Sequence, residues 1–436
     1  MGKTRKQKAG KYVQRGSYGC TYRPALYCEG DSERQPNSIS KLMLSEQAEK
    51  EYKKQEIFQE IDPDRKFFVT ASRICKPDLT KLDPLENNTG SCELVFKATN
   101  NAKTRERYKN RKFNLSTAKI IEYPDAGQDL TRVSLKISQY YEYFKGFANL
   151  FQGLAKLHEA GHYHLDIKPD NIVLKEMDGI FSMRFIDFGF SCNAATFHQT
   201  LTNKRLEELY KYWPLDIQFP RFTYDEEPFE NNYVFEEIQD DHKKILEALY
   251  QVTKQKVNPK TRVPESYIEY VVAIPYDIIA NISTIPYEDY IHGYDKDLGL
   301  YKKYKKMLTR NDDTNALKAL LPTIDIYSLG VTMSLLFTVY VGIMQEDDFK
   351  IKIVKPTPFN SELVKKNTLD SFLKDVASPF IELIKKMMDM DFTLRPTAGQ
   401  AYEEYIKILA AMEPYFNIQE GGKQKVTRKQ KKYKTK

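Results

Sequence analysis

Cysteine and tryptophan are scarce in this chain. Its 436 residues include five cysteines and one tryptophan. Cys20, Cys28, Cys75, Cys92 and Cys192 form no CxxC pair and share no regular spacing. That excludes the common zinc-site patterns, argues against a disulfide framework, and suits a reducing, cytoplasmic setting. No apolar run follows Met1, so no secretory signal is expected. Gly2 invites a lipid-anchor reading, but the motif calls for Ser or Thr where this chain has Lys6. Long apolar runs are rare too. Residues 327–344, YSLGVTMSLLFTVYVGIM, are uncharged for 18 positions and reach the length at which a membrane span is considered. The run contains Ser328, Thr332, Ser334 and Thr338 and lies deep in the chain, so a buried core helix is expected and no membrane span.

Acid is missing from both ends. Residues 1–11 carry five basic groups and residues 423–436 carry eight, with no acid in either. Setting those thirteen aside turns the net charge of +7 into −6 for the body between them. Both ends contain TRKQK, at 4–8 and 427–431. Such runs are expected to be solvated and disordered tails, 1–11 and 413–436. The functional alternative is weak binding of nucleic-acid phosphates or another acidic surface. Two internal segments also stand apart. Residues 98–118 are polar and mostly basic and read as a long loop between strands. Residues 223–241 hold eight acids and no base, and open a stretch to about 322 that reads as an insertion.

What is present is concentrated in one loop. HLDIKPDN, residues 164–171, is followed fifteen residues after its apolar run by FIDFGFS, a strand that stops at Asp187-Phe188-Gly189. Asp166 can orient a hydroxyl and take its proton. Asn171 and Asp187 supply hard oxygens of the kind Mg²⁺ demands, and Lys168 can set a cation beside a moving phosphoryl group. These residues resemble the eukaryotic-type protein kinase superfamily. The loop follows H-R-D-L-K-x-x-N except for Leu165 in place of Arg and Ile167 in place of Leu.

The resemblance implies further parts. VQRGSYGCTY would be the glycine-rich phosphate loop, with Gln14, Gly16, Ser17, Gly19 and Thr21 at ATP-contacting positions. SISKLML would place Lys41 on the phosphates. A helix over 48–63 would offer Glu51 to Lys41, since Glu51 shares a face with Phe58; Glu56 is the alternative. IIEYPDAGQDL would be the hinge where adenine meets backbone, with Glu122 and Tyr123 on it. His164 would pack behind the loop beside Phe188. Asp216 in YKYWPLDI would pair with Arg395 in DFTLRPTA, and Asp325 in TIDIYSLG, at the start of the central helix, would brace the catalytic loop.

The fold so implied is α+β and two-lobed: a β-rich N-lobe over 12–122 and a helical C-lobe over 123–412 carrying an insertion at 217–322. The implied activity is that of a serine/threonine-protein kinase using ATP with Mg²⁺, or Mn²⁺ in its stead, on protein substrates. Lys168 is the residue that favours Ser/Thr. Two alternatives stay open: a pseudokinase that binds ATP as a scaffold without transfer, suggested by Gln14, Thr21 and Leu165, and a small-molecule kinase on the same fold. The insertion, the YWPLD segment and the repeated tails resemble divergent kinases of large DNA viruses, which implies host-cell cytoplasm or virion.

Overall fold

The computed structural model describes residues 11–15, 19–33, 35, 37–78, 80–81, 118–177, 179–197, 212–214, 314–345, 351–353, 356–389 and 392–416. Residues 1–10 and 417–436 of the expected tails, most of the 98–118 segment and residues 217–313 of the expected insertion lie outside them; Lys11 instead opens a strand and residues 413–416 continue the helix Ala398–Phe416, so regular structure runs further than expected at both ends. The described chain is α+β.

Its N-terminal part is a five-stranded antiparallel sheet in the order β1-β2-β3-β5-β4. The strands are β1 (Lys11–Arg15), β2 (Gly19–Arg23), β3 (Ser38–Leu44), β4 (Arg73–Cys75) and β5 (Ala118–Pro124). Alternation along β3 buries Ser38, Ser40 and Leu42 on one face, as the two-residue period of a strand requires. Gly19 is needed where β2 meets β3, because a Cβ there would stand 2.6 Å from the Leu42 carbonyl oxygen. Two short helices follow β3: α1 (Ser45–Lys54) and α2 (Glu56–Ile61). The single helix expected over 48–63 is therefore divided at Gln55. That side chain is buried and bonded to the Ala71 amide, so the turn tightens to bring it inward.

The remainder is mainly helical. Helix α3 (Tyr140–Glu159) buries Tyr143, Phe144, Phe147, Leu150, Phe151, Leu154 and Leu157, the three-and-four spacing of an amphipathic core helix. A short strand β7 (His162–Tyr163) leads into the loop, and the hairpin β8 (Ile172–Met177) and β9 (Ile180–Phe185) carries the chain to Asp187; β6 (Gln128–Asp129) pairs with β8. Helix α4 (Thr314–Val341) runs through the centre. The helix was expected to open at residue 323 and the insertion to close at 322; the structure instead continues the helix back to Thr314, with Pro322 inside it. Proline costs about 3 kcal/mol in a helix interior. Burial of Leu320, Leu321 and Ile324 against Leu165, Trp213 and Phe392 offsets that cost. Lys318–Val341 is long and apolar enough to cross a membrane, but 78% of its apolar window is buried in the protein, as befits a core helix.

One expectation about cysteine is overturned. Cys28, after β2, and Cys75, at the end of β4, are joined as a disulfide with their Cα atoms 5.8 Å apart. They are separated by 47 residues. The segment after β2 pairs with residues 76–78 just past β4, and that long-range pairing brings them together, which is why their spacing carried no signal. Cys192 is buried and belongs to no disulfide among the described residues.

Candidate active site

The loop after β7 is suspended from helix α4. Asp325 is fully buried and accepts the backbone amides of His164 at 2.8 Å and Leu165 at 2.7 Å. Its Oδ2 also takes His158 Nε2 at 3.1 Å. Leu165 has φ 59° and Asp187 φ 61°, left-handed backbone that costs a non-glycine residue about 1–3 kcal/mol. The loop persists in that conformation because it is held from several sides. The Leu165 carbonyl accepts Trp213 Nε1 at 2.8 Å. Its side chain is fully buried among Tyr163, Phe197, Trp213 and Leu320.

His164 uses both ring nitrogens. Nδ1 accepts the Asp166 amide at 3.3 Å, which leaves Nε2 to donate to the Ile186 carbonyl at 3.2 Å. Burial pushes its pKa below the ordinary value, so a neutral imidazole fits both bonds. The ring lies 5.5 Å from that of Phe188, which stacks on Phe58 at 3.9 Å.

At the loop's open side Asp166 is nearly buried. Lys168 Nζ stands 3.0 Å from its Oδ1. Asn171 Nδ2 donates to the Asp166 carbonyl at 2.8 Å and to its Oδ2 at 2.6 Å. With its nitrogen committed, the Asn171 side chain has its amide oxygen left for a cation. The Ile186 amide donates to the Asn171 carbonyl at 2.9 Å, which ties the chain just before Asp187 to the same place. Among the described residues no three His, Cys, Asp or Glu side chains converge as a metal cage. An amide oxygen and one carboxylate are nonetheless the donors expected for Mg²⁺ that completes its shell with phosphate and water. The residues present fit that ion.

Lys41 reaches the site from β3. Its Nζ lies 2.8 Å from both carboxylate oxygens of Glu51; Glu56, the alternative, is exposed. Burial works against the charge of Lys41, yet the carboxylates of Glu51 and Asp187 outweigh it and raise the pKa. Lys54, one turn on from Glu51, donates to the Gly189 carbonyl at 2.7 Å.

The hinge expectation needs correction. Glu122 and Tyr123 are not free for adenine; both lie inside β5, paired with Ser40 and Ile39. The Glu122 carbonyl accepts the Ser72 amide, and its carboxylate is buried against Arg73 at 2.8 Å. Tyr123 turns its hydroxyl toward Glu51. Strand pairing with β3 runs two residues further than the sequence suggested. The backbone that leaves the sheet is Asp125-Ala126-Gly127. Ala126 is buried with Val69 and Val173, beside Tyr123 and Ile186. Neither its amide nor its carbonyl is bonded among the described residues. Gly127 has φ 97°, and a Cβ there would fall 1.9 Å from the Leu174 carbonyl oxygen. Ala126 falls within the expected 120–130 stretch, but that its peptide, and not Glu122 or Tyr123, is the part left open carries no sequence signal, because Ala126 contributes no side-chain chemistry.

Other expected residues are placed as follows. Thr21 on β2 pairs with Lys41 and with Gln14. Gly16, Ser17 and Asp216 lie outside the described residues. Arg395 donates to the Asp389 carbonyl at 2.7 Å and lies 5.1 Å over the Tyr327 ring.

Part of the chain resembles a known family. Residues 111–271 match the protein kinase domain. The match covers the catalytic loop, Asp187 and β5, a little over a third of the chain. Lys41, Glu51, Asp325 and Arg395 lie beyond it, and geometry alone brings the first three to the same site. No curated protein matches the chain. The match supports a phosphotransferase of the eukaryotic-type protein kinase superfamily, with protein substrates, ATP and a divalent metal as that family implies.

Proposed function

We propose that this protein is a two-lobed serine/threonine-protein kinase that transfers the γ-phosphoryl group of ATP to a protein hydroxyl. One observation carries the reading: the Asp166–Asn171–Lys168 hydrogen-bonded cluster is tied through the Asn171 carbonyl to the Ile186 amide just before Asp187, and Lys41, held by Glu51, feels the Asp187 carboxylate. Adenine enters the slot over Val173, and the Ala126 peptide serves its donor and acceptor edge. Lys41 holds phosphate oxygens, and Glu51 holds Lys41. Asn171 and Asp187 would hold Mg²⁺, which would supply neutralisation of phosphate charge. Asp166 accepts the proton of the substrate hydroxyl as the new O–P bond forms, and ADP leaves. Lys168, 3.0 Å from Asp166, stabilises charge on the transferring group. Its presence supports Ser/Thr over Tyr. The narrower likeness to kinases of large DNA viruses rests on the YWPLD segment, of which Trp213 packs on the catalytic loop, and on the two basic tails.

The test is direct. Incubation with labelled ATP, Mg²⁺ and a generic protein substrate, followed by hydrolysis, is expected to yield labelled phosphoserine or phosphothreonine. Label in phosphotyrosine would overturn the specificity. ATP binding without transfer would turn the reading to a scaffold, and label in a small molecule alone to a metabolite kinase.

A further inference from the structure

Behind the Lys41–Glu51 pair lies a chain of hydrogen bonds that the reaction scheme above does not use. It begins at the buried Ala71 amide, which can only donate and gives its proton to Gln55 Oε1 at 2.7 Å. That fixes the orientation of the Gln55 side chain, so its Nε2 donates to the Tyr123 hydroxyl at 2.9 Å. The tyrosine oxygen is now an acceptor, and its one proton points to Glu51 Oε1, also at 2.9 Å. Gln59, on the following turn, binds the Ala71 carbonyl at 2.7 Å and holds the same peptide from its other side. Every donor and acceptor along this path has a determined sense. Glu51 thus receives two bonds from Lys41 and one from Tyr123.

The path joins three elements: β5 through Tyr123, the α1–α2 junction through Gln55, and the segment before β4 through Ala71. Tyr123 faces the helix because its partner across the sheet is Ile39, which places it on the same side of β5 as Ile121 beside Lys41. It packs there with Met43, Ala48 and Ile121. Burial and the Glu51 charge raise its pKa well above the ordinary value, so the hydroxyl keeps the proton it donates.

We propose that Tyr123 is a positioning residue: its hydroxyl, oriented by Gln55, locks Glu51 onto Lys41 and so keeps the lysine aimed at phosphate without an external signal. The proposal rests on the kinase reading and concerns the lysine's aim, not nucleotide capture. Loss of the hydroxyl should therefore appear in kcat. Tyr123→Phe keeps the ring and its packing. It is expected to lower kcat about tenfold, or about 1.4 kcal/mol, with ATP KM changed less than threefold and a nearly unchanged Tm. Lys41→Met in the same assay serves as the reference. If Lys41→Met loses transfer while Tyr123→Phe keeps kcat within twofold, the positioning role is wrong and the kinase reading stands. A lower Tm with unchanged kcat overturns the role in the same way, since a merely structural tyrosine would do that. If Lys41→Met transfers phosphate normally, the kinase reading fails. Hydrogen exchange over residues 45–54 then decides the lock: faster exchange in Tyr123→Phe upholds it, and unchanged exchange overturns it.

Discussion

The two halves of the candidate site are anchored by different means. The catalytic loop hangs from backbone: Asp325 takes two consecutive amides, and the Leu165 carbonyl is held by Trp213. The Lys41–Glu51 pair hangs from a side-chain relay, Tyr123 and Gln55, that meets backbone only at the Ala71 amide. Backbone anchors leave the loop little freedom once the fold has formed, because releasing it strands buried amides. Side-chain anchors can be released singly while the sheet and helix survive. The loop that holds the base is therefore part of the fold's stability, and the lysine's aim is adjustable on top of it.

The sharpest way to separate chemistry from anchoring is to change the chemistry and leave both anchors intact. Asp166→Asn and Asp187→Asn preserve size and most hydrogen bonding. Each is expected to abolish measurable transfer while Tm stays near that of the parent. Loss of a positioned base alone costs about 10²–10⁴ in rate. Near-normal kcat in either variant would remove that residue from its role.

The anchors themselves come next. Asp325→Ala strands the amides of His164 and Leu165, each at about 1–3 kcal/mol, against a total stability of about 5–15 kcal/mol. A large fall in Tm is expected, with inactivity following from unfolding. Glu51→Ala frees a pair whose side chains are 20% and 21% exposed, so its Tm should change little while kcat falls. If the two variants lose Tm equally, the contrast between the halves is false.

The same contrast explains what could be read from sequence. The residues around Asp166 are contiguous and each brings its own chemistry, so their grouping in HLDIKPDN was legible. Glu51 was legible from its seven-residue spacing to Phe58. Which peptide within the stretch 120–130 stays open was not, because Ala126 brings no side-chain chemistry and because sheet pairing, which sets where β5 ends, is a non-local property. Trp213 carries its signal only once Leu165 is known to lie under it. Cys28 and Cys75 meet through pairing of the segment after β2 with the one after β4, and Pro322 sits in a helix through burial that no local rule foresees.

A smaller effect concerns pH. Burial lowers the pKa of His164 in the folded protein, while the unfolded chain titrates near 6.5. Above that value both states are neutral and the residue adds no pH dependence. As pH falls below about 6.5 the unfolded state takes the proton first, so stability declines until the folded pKa is reached. Tm measured from pH 7.5 to 5 should fall less steeply in His164→Asn than in the parent. Parallel curves would mean that His164 does not titrate differently on folding.

The smallest expected effect is none at all, and it tests what Leu165 does in place of arginine. A cation before the catalytic aspartate could clamp a phosphate on the segment after Asp187, at about one to three charge-assisted hydrogen bonds. Leu165 has no donor to offer. It is instead fully buried with Phe197, Trp213 and Leu320, and Phe190 packs on the same cluster. That apolar contact holds the segment against the loop with no phosphate needed. Two candidate acceptors are already engaged: Ser191 Oγ donates to the Phe188 carbonyl at 2.7 Å, and Thr196 Oγ1 bonds Asn193 Oδ1 at 3.1 Å. Thr200 and Thr202 lie outside the described residues. Phosphatase treatment, or substitution of all four by Ala or Val, is expected to leave kcat within about twofold. A drop of tenfold or more, restored by phosphorylation, would show that the packing around Leu165 is not sufficient and that another cation has taken the arginine's part.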